Sequence, residues 1–167
     1  MLVYLASPLG FSELGRLVLY HQLLPRISTE GITILDPWRD LRGRDSDFLG
    51  HAARRMTRET ALEPGFRNLN LIESCHLLVA VLDGSDVDGG VAAEVGFGAG
   101  IGKKVIGYRG DFRPASETPA TVVNPQIEAL IIRARGVVVT SIAELAMILR
   151  TEQQKILTSV TGPPSQM

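Results

Sequence analysis

The sequence predicts an α/β protein in which a five-stranded parallel sheet is flanked by helices. Three observations support this fold class. Short apolar segments alternate with longer segments of helical spacing along the chain. Residues 77–82 are apolar without interruption, which is typical of a strand that is covered on both faces. The chain has 167 residues, which is the length of one domain of ordinary size.

The first strand is predicted at residues 2–6, and Ser12 is suited to cap a following helix that ends before Gly31. A short second strand at residues 32–35 stops at an Asp-Pro pair. Further helices are predicted at residues 51–62, 65–74, 90–100, 125–135 and 141–155, and further strands at 77–82, 104–108 and 137–139. Right-handed crossovers then give a single doubly wound domain, flavodoxin-like or Rossmann-like. We expect this domain to span residues 1–160, followed by a flexible tail at 161–167.

Composition and charge exclude several classes of protein. Lysine and arginine number 17 against 18 acidic residues, so a nucleic-acid binder that relies on bulk positive charge is not expected. The single cysteine, Cys75, excludes an internal disulfide and favours a reducing cytoplasm. No segment approaches the roughly 20 apolar residues of a membrane-spanning helix, and no signal peptide is predicted. The three histidines have no metal-ligand spacing, so a metal site is not expected.

Carboxylates are concentrated after the third predicted strand, at the edge of the sheet where doubly wound proteins bind ligands. Asp83, Asp86 and Asp88 share this loop, and Glu94 lies one turn into the next helix. Because small and apolar residues flank Glu94, we expect its carboxylate to be partly buried near a helix N-terminus, which favours the charged form. Such a carboxylate suits a nucleophile or an electrostatic stabiliser. The alternative is that Glu94 caps loop amides and the aspartates only form turns.

Aromatic residues are expected at the same edge of the sheet. The loop after the first strand carries Phe11, and Trp38 follows the second strand, where it could stack on a planar ligand or cover the core. Tyr4 lies inside the first strand, where a buried phenol needs a hydrogen-bond partner. Four glycines do not match the spacing of a dinucleotide fingerprint, and close helix packing and a C-terminal cap are predicted for them: Gly96, Gly98, Gly100 and Gly102.

Four short segments carry a resemblance to a known family. In chain order they are Y-L-A-S-P-L from Tyr4, N-L-N-L-I from Asn68, D-G-G-V-A-A-E-V-G from Asp88 and G-K-K-V from Gly102. With these segments in this order, the chain resembles the nucleoside 2-deoxyribosyltransferases over about residues 1 to 150. The resemblance implies an enzyme that exchanges nucleobases on 2′-deoxyribonucleosides through a covalent deoxyribosyl-glutamate intermediate, with net retention and without a cofactor.

The resemblance also implies roles for individual residues. Glu94 matches the nucleophile, Asp88 a group that transfers a proton to and from the base, and Tyr4 a residue that orients the nucleophile. Asn68 stands where many members have aspartate, and an amide cannot donate a carboxylic proton. Either Asp88 therefore carries the acid role alone, or the choice of base is altered.

Four further residues are expected to contact substrate. Asn124 resembles an asparagine that a neighbouring subunit supplies to the 5′-hydroxyl, which implies a homo-oligomer, a dimer or larger, with a shared active site. Phe11, Trp38 and the polar loop at residues 39–47 are expected to set the choice of base. Asp83 is expected to contact substrate from the carboxylate-rich loop. The implied partners are nucleosides and free nucleobases, with neither nucleic acid nor membrane.

Two other functions stay open. A hydrolase on the same scaffold, cleaving deoxynucleosides or their 5′-monophosphates, would keep Glu94 and Asp88 unchanged. Asn124 suits an unphosphorylated 5′-hydroxyl better than a phosphate, which favours nucleosides. A nucleotide-sensing module would bind without turnover and would not need an apolar-flanked glutamate beside an aspartate. Base specificity, tolerance of ribose and oligomer size are not readable from the sequence.

Overall fold

The structure is a computed structural model that describes residues 1–39 and 56–160. These residues contain five strands: β1 (Leu2–Ala6), β2 (Thr33–Leu35), β3 (Leu77–Val81), β4 (Lys104–Tyr108) and β5 (Val138–Val139). All neighbouring strands pair in parallel, and their order in the sheet is β2-β1-β3-β4-β5. The order reverses direction at β1, as in a doubly wound sheet. The predicted fold class is therefore confirmed.

Helices cover both faces of this sheet. Those in the described residues are α1 (Glu13–Val18), α2 (Leu24–Ile27), α3 (Arg58–Ser74), α4 (Gly89–Gly100), α5 (Pro125–Arg133) and α6 (Ile142–Val160). A 3-10 turn, Pro8–Phe11, precedes α1, and a π-helical segment, Leu19–Leu23, joins α1 to α2. No helix within these parts of the chain is both long and apolar enough to cross a membrane.

Alternate residues of the strands contribute to two separate apolar clusters. Tyr4 and Leu78 belong to the cluster that α3, α4 and α5 cover, whereas Val3 and Leu77 belong to the cluster beneath the Leu19–Leu23 segment, α2 and α6. This alternation follows from the period of two in a strand. Strand β3 is buried along its whole length, as expected for an apolar strand at the centre of a parallel sheet. Tyr4 thus faces α3 and α4, the two helices that carry the candidate site.

The predicted break between two helices at residues 62–65 is wrong. Helix α3 runs without interruption from Arg58 to Ser74, with Pro64 inside it. The Thr57 side chain caps it by accepting a hydrogen bond from the Thr60 amide. A proline within a helix costs about 3 kcal/mol. Tertiary packing, such as that of the fully buried Ile72, stabilises the helix against this cost. Residues 51–55 of the predicted first helix lie outside the described residues, as do 40–47 of the polar loop and the tail at 161–167.

The other predicted elements are confirmed, with ends that differ by a few residues. Ser12 caps α1 by accepting a hydrogen bond from the Gly15 amide at 2.9 Å. Gly102 follows the end of α4 with a φ of 80°, the left-handed conformation expected of a C-terminal cap. A Cβ atom on Gly98 would lie 3.0 Å from Leu78, so this glycine lets α4 pack closely on the sheet.

Candidate active site

A pocket of about 260 Å³ lies at the carboxyl edge of β1. Its walls come from the loops after β1 and β2, one face of α3, and the first turns of α4. The residues that line it are Ser7, Phe11, Pro37, Trp38, Ala61, Pro64, Arg67, Asn68, Asp88, Gly90, Val91 and Glu94. Five of the eight site residues predicted from the sequence are therefore in its lining: Phe11, Trp38, Asn68, Asp88 and Glu94.

Two elements, β1 and α3, contact the carboxylate of Glu94, which α4 carries. The Tyr4 hydroxyl, from β1, donates a hydrogen bond to Glu94 Oε1 at 2.6 Å. Asn68 Nδ2, from α3, donates to the same oxygen at 3.1 Å. Within the described residues no hydrogen bond reaches Glu94 Oε2, so one oxygen is fixed in place and the other is available to react. The buried phenol of Tyr4 has the partner that the sequence analysis required.

Burial and hydrogen bonding act on the Glu94 carboxyl in opposite directions. Burial is the largest influence and raises its pKa, and the charge of Asp88 raises it further. The hydrogen bonds from Tyr4 and Asn68 lower the pKa because they stabilise the anion. Burial and the neighbouring Glu94 charge also raise the pKa of Tyr4 far above its ordinary value, so the phenol remains a proton donor in this hydrogen bond. Tyr4 and Asn68 therefore stabilise the ionised form of a half-buried carboxyl group whose pKa burial raises.

The Asp88 side chain both caps a helix and lines the pocket. It is the N-cap of α4, and its Oδ1 accepts hydrogen bonds from the amides of Gly90 at 2.9 Å and Val91 at 3.1 Å. It also lines the pocket together with Glu94. The alternative in which Glu94 caps loop amides is wrong, since Asp88 does so. Because Oδ1 is held by the helix, Oδ2 is the oxygen of Asp88 that is available to a ligand.

Aromatic side chains form the apolar wall of the pocket. The rings of Phe11 and Trp38 meet edge to face, with centroids 4.5 Å apart and planes at 74°. The Trp38 Nε1 atom donates a hydrogen bond to the Ser7 carbonyl at 2.8 Å, which fixes the indole. A Cβ atom on Gly10 would lie 2.0 Å from the indole ring, so only glycine allows this packing. Trp38 thus covers part of the core, as predicted, and also lines the pocket, while its stacking on a planar ligand stays a prediction.

One face of α3 supplies pocket residues that the sequence analysis missed. The missed residues Ala61, Pro64 and Arg67 follow helical spacing with the predicted Asn68 and line the same cavity. Arg67 donates a hydrogen bond to the Pro37 carbonyl at 2.6 Å, which ties α3 to the loop after β2. The spacing from Asn68 would have identified these residues, but the predicted break in the helix separated them.

Two predicted site residues do not reach the pocket of their own chain. Asp83 Oδ1 accepts hydrogen bonds from two backbone amides in the loop after β4, those of Gly110 at 2.6 Å and Asp111 at 2.9 Å. The carboxylate is therefore directed at that loop and is not part of the pocket lining. Asn124 is the N-cap of α5, and its amide group donates to Glu117 at 2.9 Å.

No cluster of three or more histidine, cysteine, aspartate or glutamate residues that could hold a metal ion occurs in residues 1–39 and 56–160. The pocket combines the carboxyl groups of Glu94 and Asp88 with an aromatic wall. This arrangement suits attack of a carboxylate on an electrophilic carbon that carries a planar leaving group.

Comparison with known proteins identifies a family for this chain. The sequence model of the family described as nucleoside 2-deoxyribosyltransferase matches residues 3–143. A search of curated proteins gives no match.

Several solved structures have the same fold. A conserved protein from Enterococcus faecalis is 22% identical, with a TM-score of 0.64 over 91% of this chain and 98% of that one. A 2-deoxyribosyltransferase from Bacillus psychrosaccharolyticus is 20% identical, with a TM-score of 0.60 over 87% and 90% of the two chains. A CMP N-glycosidase from Clostridium botulinum is 17% identical, with a TM-score of 0.53 over 91% and 99%.

Proposed function

Because the chain belongs to the nucleoside 2-deoxyribosyltransferase family, we propose that it exchanges nucleobases on 2′-deoxyribonucleosides, with Glu94 as the nucleophile. The observation that carries this proposal is the pair of hydrogen bonds from Tyr4 and Asn68 to one oxygen of Glu94. A carboxylate that only stabilised the fold would have no need of a second oxygen left open toward a cavity. A nucleophile needs that second oxygen.

The reaction proceeds in two displacements at C1′ of the sugar. Glu94 Oε2 forms a bond to C1′ while the N-glycosidic bond breaks. The electron pair of the N-glycosidic bond leaves with the base, and the base takes up a proton. The product is a deoxyribosyl ester of Glu94. A ring nitrogen of a second base then attacks C1′, and the electron pair of the ester bond returns to the carboxylate. Two inversions give net retention.

Asp88 is the group proposed to move the proton. It is the only other carboxylate that lines the pocket in the described residues, and its Oδ2 is not occupied by the helix N-terminus. Asn68 cannot supply this proton, because its amide nitrogen donates to Glu94 and an amide does not release a proton near neutral pH. Asp88 therefore protonates the leaving base and takes the proton from the incoming one.

The aromatic wall and the neighbouring subunit are proposed to bind the rest of the substrate. Phe11 and Trp38 present apolar surface to a planar base, and Pro64 faces the same cavity. Their bulk also limits the access of water to the ester, which transfer requires. Asn124, which does not reach its own pocket, is proposed to contact the 5′-hydroxyl of a substrate bound by a second copy of the chain.

A chromatographic assay tests the proposed function. The protein is incubated with 2′-deoxyinosine or thymidine, each with adenine and each without an acceptor base. We expect 2′-deoxyadenosine only when adenine is present. We expect the Glu94→Ala variant to lose about three orders of magnitude of this activity. The matched control is Glu73→Ala, which removes an exposed glutamate at the far end of α3 and should not change the rate. An active Glu94→Ala variant would refute the covalent mechanism.

Hydrolysis of 5′-monophosphates is the second candidate function. It is favoured by Arg67, which places a guanidinium group in the pocket lining, where it would attract a phosphate. The two carboxylates in the same lining oppose it by repulsion of the phosphate. Release of free base from 2′-deoxynucleoside 5′-monophosphates at a rate that does not depend on acceptor would establish hydrolysis instead of transfer.

A further inference from the structure

Arg109 is a buried cation that the proposed reaction does not use. It follows β4 directly, and only 2% of its surface is exposed. Its guanidinium group donates three hydrogen bonds to backbone carbonyls, those of Leu82 at 2.5 Å, Gly84 at 3.0 Å and Arg113 at 2.7 Å. No carboxylate in the described residues accepts a hydrogen bond from it. This is an unusual environment for a charge, because burial of an ion costs several kcal/mol.

Asp83 completes a reciprocal connection between the same two loops. Its Oδ1 accepts hydrogen bonds from the amides of Gly110 and Asp111, while Arg109 donates to the carbonyls of Leu82 and Gly84. The loop after β3 and the loop after β4 thus exchange four hydrogen bonds, two through each side chain. We call these four hydrogen bonds the Arg109–Asp83 clasp. The register of the sheet places the loops side by side, because Val81 pairs with Tyr108.

The clasp lies at the base of the segment that leads to Asp88. Between β3 and α4 the chain passes through Gly84, which has a φ of 127°, and through Ser85 and Asp86, which are exposed. Val87 is buried, and Asp88 then caps the helix and enters the pocket. The clasp fixes the start of this segment and the cap fixes its end. The position of the Asp88 carboxylate therefore depends on both.

An arginine is needed for this geometry. The planar guanidinium group has five N–H donors in a fixed arrangement, so it can reach three carbonyls that lie in different directions. A lysine has three donors on one atom and cannot span the same carbonyls. An apolar side chain of similar size would fill the space without the cost of burying a charge, but it would leave the carbonyls without their donors.

We propose that Arg109 and Asp83 are positioning residues that hold the loop after β3 so that Asp88 is placed for proton transfer to and from the base. This inference rests on the proposed function for the role of Asp88. Arg109 and Asp83 act through Asp88 and do not touch the substrate. Loss of the clasp should therefore lower kcat more than it raises KM.

A double-mutant cycle tests the inference. We expect Arg109→Lys to lower kcat about tenfold or more, because small displacements of a catalytic group have large effects on rate. In the Asp88→Asn background the same substitution should change kcat by less than about twofold, because the side chain at position 88 then cannot transfer a proton. In the Tyr4→Phe background the full effect should persist. Arg133→Lys, on an exposed position of α5, is the control that should not change kcat.

Equal effects of Arg109→Lys in the wild-type and Asp88→Asn backgrounds would overturn the inference, as would an unchanged kcat. Asp83→Ala provides a second route if Arg109→Lys does not fold, with the same expected dependence on Asp88. Hydrogen exchange of the Gly90 and Val91 amides, which Asp88 holds, is a measurement that does not need activity. Asp83→Ala should speed this exchange, and unchanged exchange would overturn the inference. A wild-type protein that makes no product would refute the proposed function, whereas the exchange result would still decide whether the clasp positions Asp88.

Discussion

Replacement of Asn68 by aspartate should create a pair of carboxyl groups that share one proton. In the native protein Asn68 Nδ2 lies 3.1 Å from Glu94 Oε1 and donates a hydrogen bond to it. The Asn68→Asp substitution keeps the shape of the side chain but puts a carboxylate oxygen in place of this donor. Two like charges at this separation cannot both be present without a large penalty.

The size of the effect follows from the distance. At 3.1 Å and an effective dielectric constant of about 20, two unit charges repel by about 5 kcal/mol. The lost hydrogen bond to an ionised group adds about 2 kcal/mol to the penalty on the doubly ionised state. The repulsion alone lowers the second ionisation constant by more than three powers of ten. Because the native pKa of Glu94 is already raised by burial, the pair should retain one proton at pH 7.

The assay is the pH dependence of kcat/KM for base exchange, accompanied by NMR of 13C-labelled carboxyl groups. We expect the Asn68→Asp variant to show an additional ionisation at neutral to alkaline pH, which belongs to the pair and not to either residue alone. Asn68→Ala removes the donor without adding charge, so it should lower the rate without the additional ionisation. The matched control is Asn70→Asp, an exposed position on the same helix. If the profiles of Asn68→Asp and Asn70→Asp coincide, Asn68 is not the donor that fixes an ionised Glu94.

Two further predictions concern Gly10 and Glu94. Gly10→Ala would place a Cβ atom 2.0 Å from the indole of Trp38, so we expect displacement of the ring, a raised KM and a cost of about 1–3 kcal/mol in stability. Trp38 is the single tryptophan, so fluorescence reports its displacement; Gly65→Ala, with nothing within 4 Å of its Cβ, is the control. Burial raises the pKa of Glu94 in the folded state, so its ionised form destabilises the fold at high pH and this cost disappears as the pH falls through the folded pKa. Glu94→Gln should therefore unfold at a higher temperature than the native protein at pH 8, by about 2–4 °C per kcal/mol; an advantage that is equally large at pH 4 would contradict this.

Local sequence patterns were sufficient for the parts of the fold that depend on local chemistry. The apolar run that became β3 and the cap at Ser12 are examples, since burial and capping are properties of short segments. The apolar neighbours of Glu94 correctly indicated its partial burial, because a helix turn of small residues packs close to the sheet. Pro64 and Gly65 predicted a break in α3 that does not occur, because both residues weaken a helix locally and the tertiary contacts of α3 outweigh them.

The contacts within the site depend on how distant strands and helices align, which local patterns do not contain. Asp83 was expected to contact substrate, yet the register between β3 and β4 brings the Gly110 amide within reach of its carboxylate. The sequence did not single out Arg109, because its hydrogen bonds are to three carbonyls from two loops that only the fold brings together. The meeting of Tyr4 with Glu94 likewise requires β1 to lie beside β3, under the helix that follows β3.

The position of β1 within the sheet has a consequence for how the protein folds. Tyr4 pairs with Leu78, which is 74 residues further along the chain. Strand β1 is therefore synthesised well before β3, one of the strands with which it pairs. Closure of such long loops precedes any gain from the contacts they form, and it slows folding. On the ribosome β1 must therefore wait until β3 has emerged, and its apolar residues remain available to chaperones during that time. The Tyr4–Glu94 contact forms only after this step, so the appearance of activity during synthesis would report when the centre of the sheet closes.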